Sequence, residues 1–387
     1  VITVYKNQAK GSASTAVVDE DNIDLTIEKA LAIARLTEAD EAAGLADKAW
    51  LATEFHDLQL YFNNQKTADE LVDMALTAEQ SAMDFAENKG QSIAVDEANV
   101  EMGEGRSIYA NSHGFIGQKQ GSNASASVVA IAEQNGSMER EYWWDARRDV
   151  NKLDSMTAIG KKAAQRTWER LGSRKINSTK APVLFDPTCA KSLIGHLLAA
   201  ISGSALYQEA SFLKNDLQQQ LFPKWLTIKE DPFLPEGFAS RNFDGNGVQT
   251  RQRDLIKAGV LNGFLLSVYS ARRLGMQTTG NAGGAHNLLV ESSQLVKQDL
   301  LQQLDTGLLV TSLMGQGVNT VTGDYSRGAS GFWVENGEIQ FPVSELTIAG
   351  HLKEMFKSLV AIGADVDTRS KIQTGSWLIE SMTIAGD

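Results

Sequence analysis

Five histidines and one cysteine are the residues of this chain best suited to hold a metal or act as a nucleophile. The histidines, His56, His113, His196, His286 and His351, are scattered, and none is followed by glutamate, so the His-Glu-x-x-His helix that binds zinc is absent. His351 and Glu354 alone stand at a spacing that could aim both at one metal, and the same spacing suits a solvated helix pair. His196 sits at the edge of the apolar stripe Leu193–Ile201, as either a satisfied half-buried histidine or a ligand or base. Cys189 has no histidine placed beside it by sequence, and a free cysteine commonly packs as a small apolar side chain. No Gly-x-Ser-x-Gly nucleophile turn occurs. Gly160–Lys161 lacks the upstream glycine of a phosphate loop, and Gly315-Gln-Gly317 lacks the third glycine of a dinucleotide turn. Taken residue by residue, the chain displays no catalytic engine.

A different chemistry is offered between Gly275 and Gly331, where ten of the 33 glycines fall in 57 residues without a proline. Glycine admits positive φ and close backbone approach. Interleaved with apolar runs such as Leu308–Val310, these glycines predict tight strand-and-loop structure and not a flexible linker. Asn281, His286, Asn319, Asp324, Tyr325 and Arg327 stand among them. Such residues either cap turns or wall a groove that holds an extended ligand. Arg327 is the foremost groove candidate, because its planar fork can hold carbonyls or a carboxylate. The alternative is an Asp324–Arg327 pair that pins the loop.

The elements that must position these residues follow from pattern. At 387 residues the chain exceeds one ordinary core, and two domains are expected, 1–175 and 176–387, parted in the polar segment Gly172–Lys180. Val1–Val18 predicts two strands with a turn near Gly11, and Asp21–Asn22 predicts an N-cap for a helix through Leu36. Helices are expected over Thr67–Glu87, Ser155–Leu171, Thr188–Gly203 and Ser344–Ile362, with Ala205–Leu221 continuing as another. Strands are expected between Ile93 and Glu141, although Ala94–Gly105 fits neither state, and again at Val183–Phe185, from Trp225 onward and at Ser376–Ile384. Asn336–Gly337 suits a type I′ turn between alternating strands. Helices and strands mix without a regular βαβ beat, so the fold class is α+β, with a strand-rich C-terminal domain.

Composition narrows the function classes. Hydrophobic content of 42% with 22% charged residues is that of a globular protein. A net charge of −12 argues against a sequence-independent grip on nucleic acid, which needs a basic surface. One cysteine excludes an internal disulfide and suits a reducing cytosol. The apolar run Leu193–Ile201 falls far short of the ~20 residues that cross a bilayer. The chain begins at Val1 without a methionine, consistent with further residues ahead of it.

Several blocks carry a resemblance: ANSHGF (110–115), MEREYWWDARR (138–148), LIGHLLAAISGSALYQEASFL (193–213), TTGNAGGAHNL (278–288) and MGQGVNTVTGDYSRGASGFWVENGEIQFPVSELTIAGHL (314–352). Across nearly its whole length the chain resembles the PmbA/TldE branch of the TldD/PmbA family, once called modulators of DNA gyrase. The resemblance implies a subunit of a cytosolic heteromeric peptidase. Its TldD-type partner carries a His-Glu-x-x-x-His zinc motif and a cysteine ligand, and the pair cleaves unfolded or extended peptides. Placing the Gly-His of this chain on the partner's second histidine puts His196 there, Lys191 on the first histidine and Ser192 on the glutamate. No cysteine follows Cys189. The resemblance therefore implies no cofactor in this chain, zinc in the partner, and a substrate-holding role that adds peptide to a sheet edge. A regulatory protein acting on gyrase, an independent peptidase using His196, His286 and Tyr325, and a homodimer of the isolated subunit are the alternatives.

Overall fold

The computed structural model describes residues 1–87 and 93–386. The chain opens with a hairpin, β1 (Ile2–Lys6) and β2 (Ala9–Ala13), under helix α1 (Glu20–Leu36). Its turn falls at Asn7 and Gln8, whose φ of 50° and 64° match the twist of a two-residue hairpin, and not at Gly11. Gly11 lies mid-strand, where a Cβ would meet Ala30 O of α1 at 2.0 Å, so its glycine serves close packing. Asp19 caps α1, accepting from Asn22 N. Helix α2 (Ala68–Glu87) precedes an antiparallel sheet of β3 (Ile93–Ala110), β4 (Ile116–Gln134) and β5 (Ser137–Arg147). Helix α3 (Met156–Glu169), capped by Ser155, packs with α2 on that sheet through Ala78, Ala82, Val128, Ile159 and Ala163. Ala94–Gly105 is part of β3. Its alternation is broken by a bulge between Val95 and Glu97, and β3 is largely exposed past Met102, so sequence period is lost there.

Residues 172–178 lead into β6 (Thr179–Phe185) and α4 (Pro187–Ala200), followed by the short α5 (Gly203–Tyr207). The helix expected over Ala205–Leu221 stops there: Glu209 takes a φ of 57°, and the Ser211 hydroxyl donates back to Ala200 O. Next come β7 (Ile228–Asp231), β8 (Arg253–Lys257), β9 (Val260–Leu261), α6 (Val268–Arg273) and β10 (Asn287–Val290). The glycine-rich stretch then admits a helix that its composition hid, α7 (Lys297–Leu304), before β11 (Gly307–Met314), β12 (Asp324–Glu335) and β13 (Glu338–His351). Asn336 and Gly337 make the expected tight turn, with φ of 52° and 74°. Helix α8 (Leu352–Lys357), β14 (Leu359–Ile362), β15 (Ile372–Gln373) and β16 (Trp377–Ala385) complete the chain.

Where a helix over Ser344–Ile362 is expected, β13 runs on to His351 and only Leu352–Lys357 is helical. One extra residue between Val343 and Leu346, opposite Gly331 and Ala329, gives the buried positions an i, i+3 spacing that imitates a helix.

Two sheets build this half. Strands pair in the order β13-β12-β11-β6-β16-β14, and β13 also pairs with β16 through Thr347–Ala349, closing a barrel. The second sheet is β15-β10-β7-β8-β9. Alternation along β6 sends Val183 and Phe185 into the large core with α4, and Leu184 into a smaller one under α7. The architecture is α+β with a strand-rich C-terminal part. Among the described residues no helix is long and apolar enough to cross a membrane.

Candidate functional site

Helix α4 is the positioning element. Asp186 caps it by accepting from Cys189 N at 2.9 Å, and Pro187 opens its first turn. Leu193, Ile194 and Leu197 fix its buried face, which leaves Lys191, Ser192 and His196 half-buried on the flank. Lys191 Nζ lies 2.6 Å from Asp367 Oδ2. Burial lowers its pKa, and Asp367 opposes that shift. The Asp367 carboxylate also accepts from Arg369 Nε and Nη2, each at 2.9 Å. Burial would raise its pKa, but these cationic donors outweigh it and hold the group at about 2. Ser192 donates to Cys189 O at 2.7 Å. Burial, reinforced by Asp186, pushes the Cys189 thiol up, so it stays protonated.

His196 meets β12. Its ring stands edge-on to Tyr325, centroids 6.0 Å apart. His196 Nε2, the Tyr325 hydroxyl and Arg327 Nε are all buried without a hydrogen-bond partner. His196 is thus not the satisfied histidine of the simpler expectation. Burial, then the Arg327 charge, lowers its pKa and keeps the imidazole neutral. Burial drives the Tyr325 hydroxyl well above its ordinary value, with Arg327 opposing.

The other candidates lie elsewhere. Asp324, one residue from Tyr325, is exposed on the opposite face of β12 and accepts from the Thr322 hydroxyl at 2.6 Å. It does not pair with Arg327. Asn281 and His286 surround Glu230, which is 1% exposed. Glu230 Oε1 accepts from Asn281 Nδ2 at 2.7 Å, His286 N at 2.9 Å and His286 Nδ1 at 3.0 Å, while Oε2 accepts from Arg253 Nε at 2.7 Å. This knot fastens the loop 278–288 to the second sheet. His351 caps α8: Nδ1 accepts from Lys353 N and Nε2 donates to Thr322 O at 2.9 Å. Both its nitrogens are engaged, so it does not share a metal with Glu354.

The blocks holding these residues coincide with known domains. Residues 62–171 match the PmbA/TldA metallopeptidase central domain, and residues 178–386 its C-terminal domain. The chain is 46% identical over 385 residues to the metalloprotease PmbA of Escherichia coli O157:H7, covering 100% of this chain and 85% of that one. The chain belongs to the PmbA/TldD metallopeptidase family. It lies close to the PmbA branch, being also 43% identical to a PmbA homolog of Haemophilus influenzae, over 100% of this chain and 85% of that one. A Bacteroides thetaiotaomicron protein described as a candidate modulator of DNA gyrase superposes with a TM-score of 0.92 at 29% identity, covering 100% and 87% of the two chains. TldE from Thermococcus kodakarensis shares the fold, with a TM-score of 0.82 at 23% identity over 99% and 89%.

The family name implies a metal, and the residues on α4 do not fit one. Lys191 brings a cation already committed to Asp367, Ser192 is spent on the helix backbone, and of the three only His196 is a ligand type. Cys189, the other ligand type on α4, is buried and held protonated. Among the described residues no three His, Cys, Asp or Glu side chains converge to hold a metal. Sequence reasoning missed Glu230, Arg253, Asp367 and Arg369. For Glu230 the signal was present: it follows the buried Ile228 by two in a strand, which turns it inward. For Asp367 and Arg369, which sit in an irregular loop, there was none.

Proposed function

We propose that this chain is the non-catalytic, substrate-holding subunit of a cytosolic two-subunit metallopeptidase, whose zinc belongs to a TldD-type partner. The observation that carries this reading is the Lys191–Asp367 ion pair at the helix position where the partner would place a histidine. A neighbouring ammonium repels a divalent cation, and Ser192 cannot act as the base that activates a zinc-bound water. The 176–387 part contributes α4 and β12, and their half-buried polar groups form the floor of a peptide groove. Asn281 and His286 act from behind it, as struts of the glycine-rich loop.

Two measurements on purified protein test the assignment. After dialysis against trace zinc, elemental analysis is expected to find no stoichiometric metal. The chain alone is expected to leave unfolded casein intact, and a mixture with a TldD-type subunit to degrade it in a chelator-sensitive way. One tightly held zinc per chain, or chelator-sensitive cleavage by the chain alone, would sink it.

A further inference from the structure

We propose that His196, Tyr325 and Arg327 form a carboxylate-binding site between α4 and β12, occupied by a carboxylate of the peptide that this subunit holds. The identity of the ligand as a peptide rests on the function proposed above; the chemistry of the site rests on the structure alone.

Alternation along β12 puts Tyr325 and Arg327 on the face that meets α4, and His196 approaches from that helix with its ring against Tyr325. Tyr325 is 1% exposed, yet its hydroxyl has no partner, and neither does His196 Nε2 or Arg327 Nε. Native interiors rarely leave such groups orphaned, and three at one place point to a ligand. The charge at that place is of one sign. Among the described residues, Arg327 is the charge that lowers the pKa of His196, and it also opposes the rise at Tyr325, whose other neighbour is the thiol of Cys189. Among the described residues no carboxylate pairs with Arg327, although the chain carries a net charge of −12.

These features choose the ligand class. A carboxylate supplies two oxygens that accept from a guanidinium, a phenol and an imidazole N–H together. A cation would be repelled by Arg327, and a neutral amide would leave the half-buried charge uncompensated. Chain terminus and acidic side chain share this chemistry.

Small mimics separate them without requiring turnover or a partner. N-acetylglycine stands for the chain terminus, the α-amide of N-acetylaspartate for an acidic side chain, and N-acetylglycinamide for neither. Each is titrated into the 387-residue chain by calorimetry and followed by melting temperature. At least one of the two carboxylates is expected to bind and raise the melting temperature, and the stronger one identifies the source. N-acetylglycinamide is expected to do neither. Arg327→Lys and Tyr325→Phe are each expected to weaken that binding about tenfold. Because the hydroxyl has no protein partner, Tyr325→Phe is expected to keep the unliganded melting temperature, whereas a purely structural tyrosine would lower it. Equal responses to the carboxylates and the amide, no response to any, or full binding by both variants would overturn the site. Failure of the reconstituted complex to cleave casein would count against the proposed function and leave this result standing.

Discussion

Glu230 concentrates the residue-scale energetics of the C-terminal half. Burial works to raise its pKa, but the hydrogen bonds from His286 and the charge of Arg253 outweigh it and hold the group at about 2. A folded pKa below the unfolded value of about 4.3 stabilises the native state at higher pH. That contribution, roughly 3 kcal/mol, is complete above the unfolded pKa and is lost as pH falls toward 2. Glu230→Gln is therefore expected to lower the melting temperature at pH 7, where it leaves Arg253 without its counter-charge, and to flatten the decline between pH 5 and 2. Thermal unfolding followed across that range checks both. A variant that declines as steeply as the parent would move the acid sensitivity to Asp367, also held at about 2. The sequence made His286 and Asn281 visible as polar residues among glycines. It did not show that they face inward onto a carboxylate, 56 residues from His286 and 51 from Asn281.

At the scale of elements, the sequence was informative wherever one period ran uninterrupted. Helices α1, α2, α3 and α4 each carry an apolar stripe and a capping side chain, Thr67 and Glu70 capping α2 reciprocally, and each falls within a few residues of its expected bounds. It was misleading where a bulge reset the period, as in β3 and β13, and where side chains bonded back to the chain, as after α5. Gly160 shows how packing overrides propensity. It sits inside α3, where alanine would ordinarily stabilise a helix by about 1 kcal/mol. A Cβ at Gly160 would come 2.0 Å from Ala78 O of α2, so the two helices approach as closely as they do only because none is there. Gly160→Ala is accordingly expected to destabilise by about 2 kcal/mol through forced separation of α2 from α3. Denaturant unfolding measures this directly, and a stabilised variant would show that the helices part at little cost.

At the scale of the whole molecule, the central-domain sheet and the C-terminal half meet at Arg369. Trp143 and Trp144 are consecutive in β5, so their rings leave the strand on opposite sides. Yet the Arg369 guanidinium lies 4.2 Å from one ring centroid and 4.7 Å from the other. It can touch both only by straddling the free edge of β5, the outer strand of its sheet, and it donates there to Trp144 O. An open edge invites pairing with another chain, and a cation lying across it blocks that. The same guanidinium grips Asp367, which grips Lys191 on α4, so the edge of one sheet is wired to the helix that carries His196. Arg369→Ala removes two cation–ring contacts of about 1 kcal/mol each and leaves Asp367 only Lys191 and the backbone N–H of residue 369. It is expected to cost about 2–4 kcal/mol in total. Arg369→Lys keeps the charge without the fork or the stacking and is expected to fall between. Because Trp143 and Trp144 are both touched, their fluorescence should shift to the red in proportion to the lost stability. If the link also sets the position of α4, casein cleavage by the reconstituted complex should fall further than the loss of folded protein explains. Unchanged emission and melting in Arg369→Ala would mean that the two halves are held by their other contacts, among them Arg166 donating to Thr311 O and Arg148 donating to Gly237 O, with Arg369 only resting on the seam.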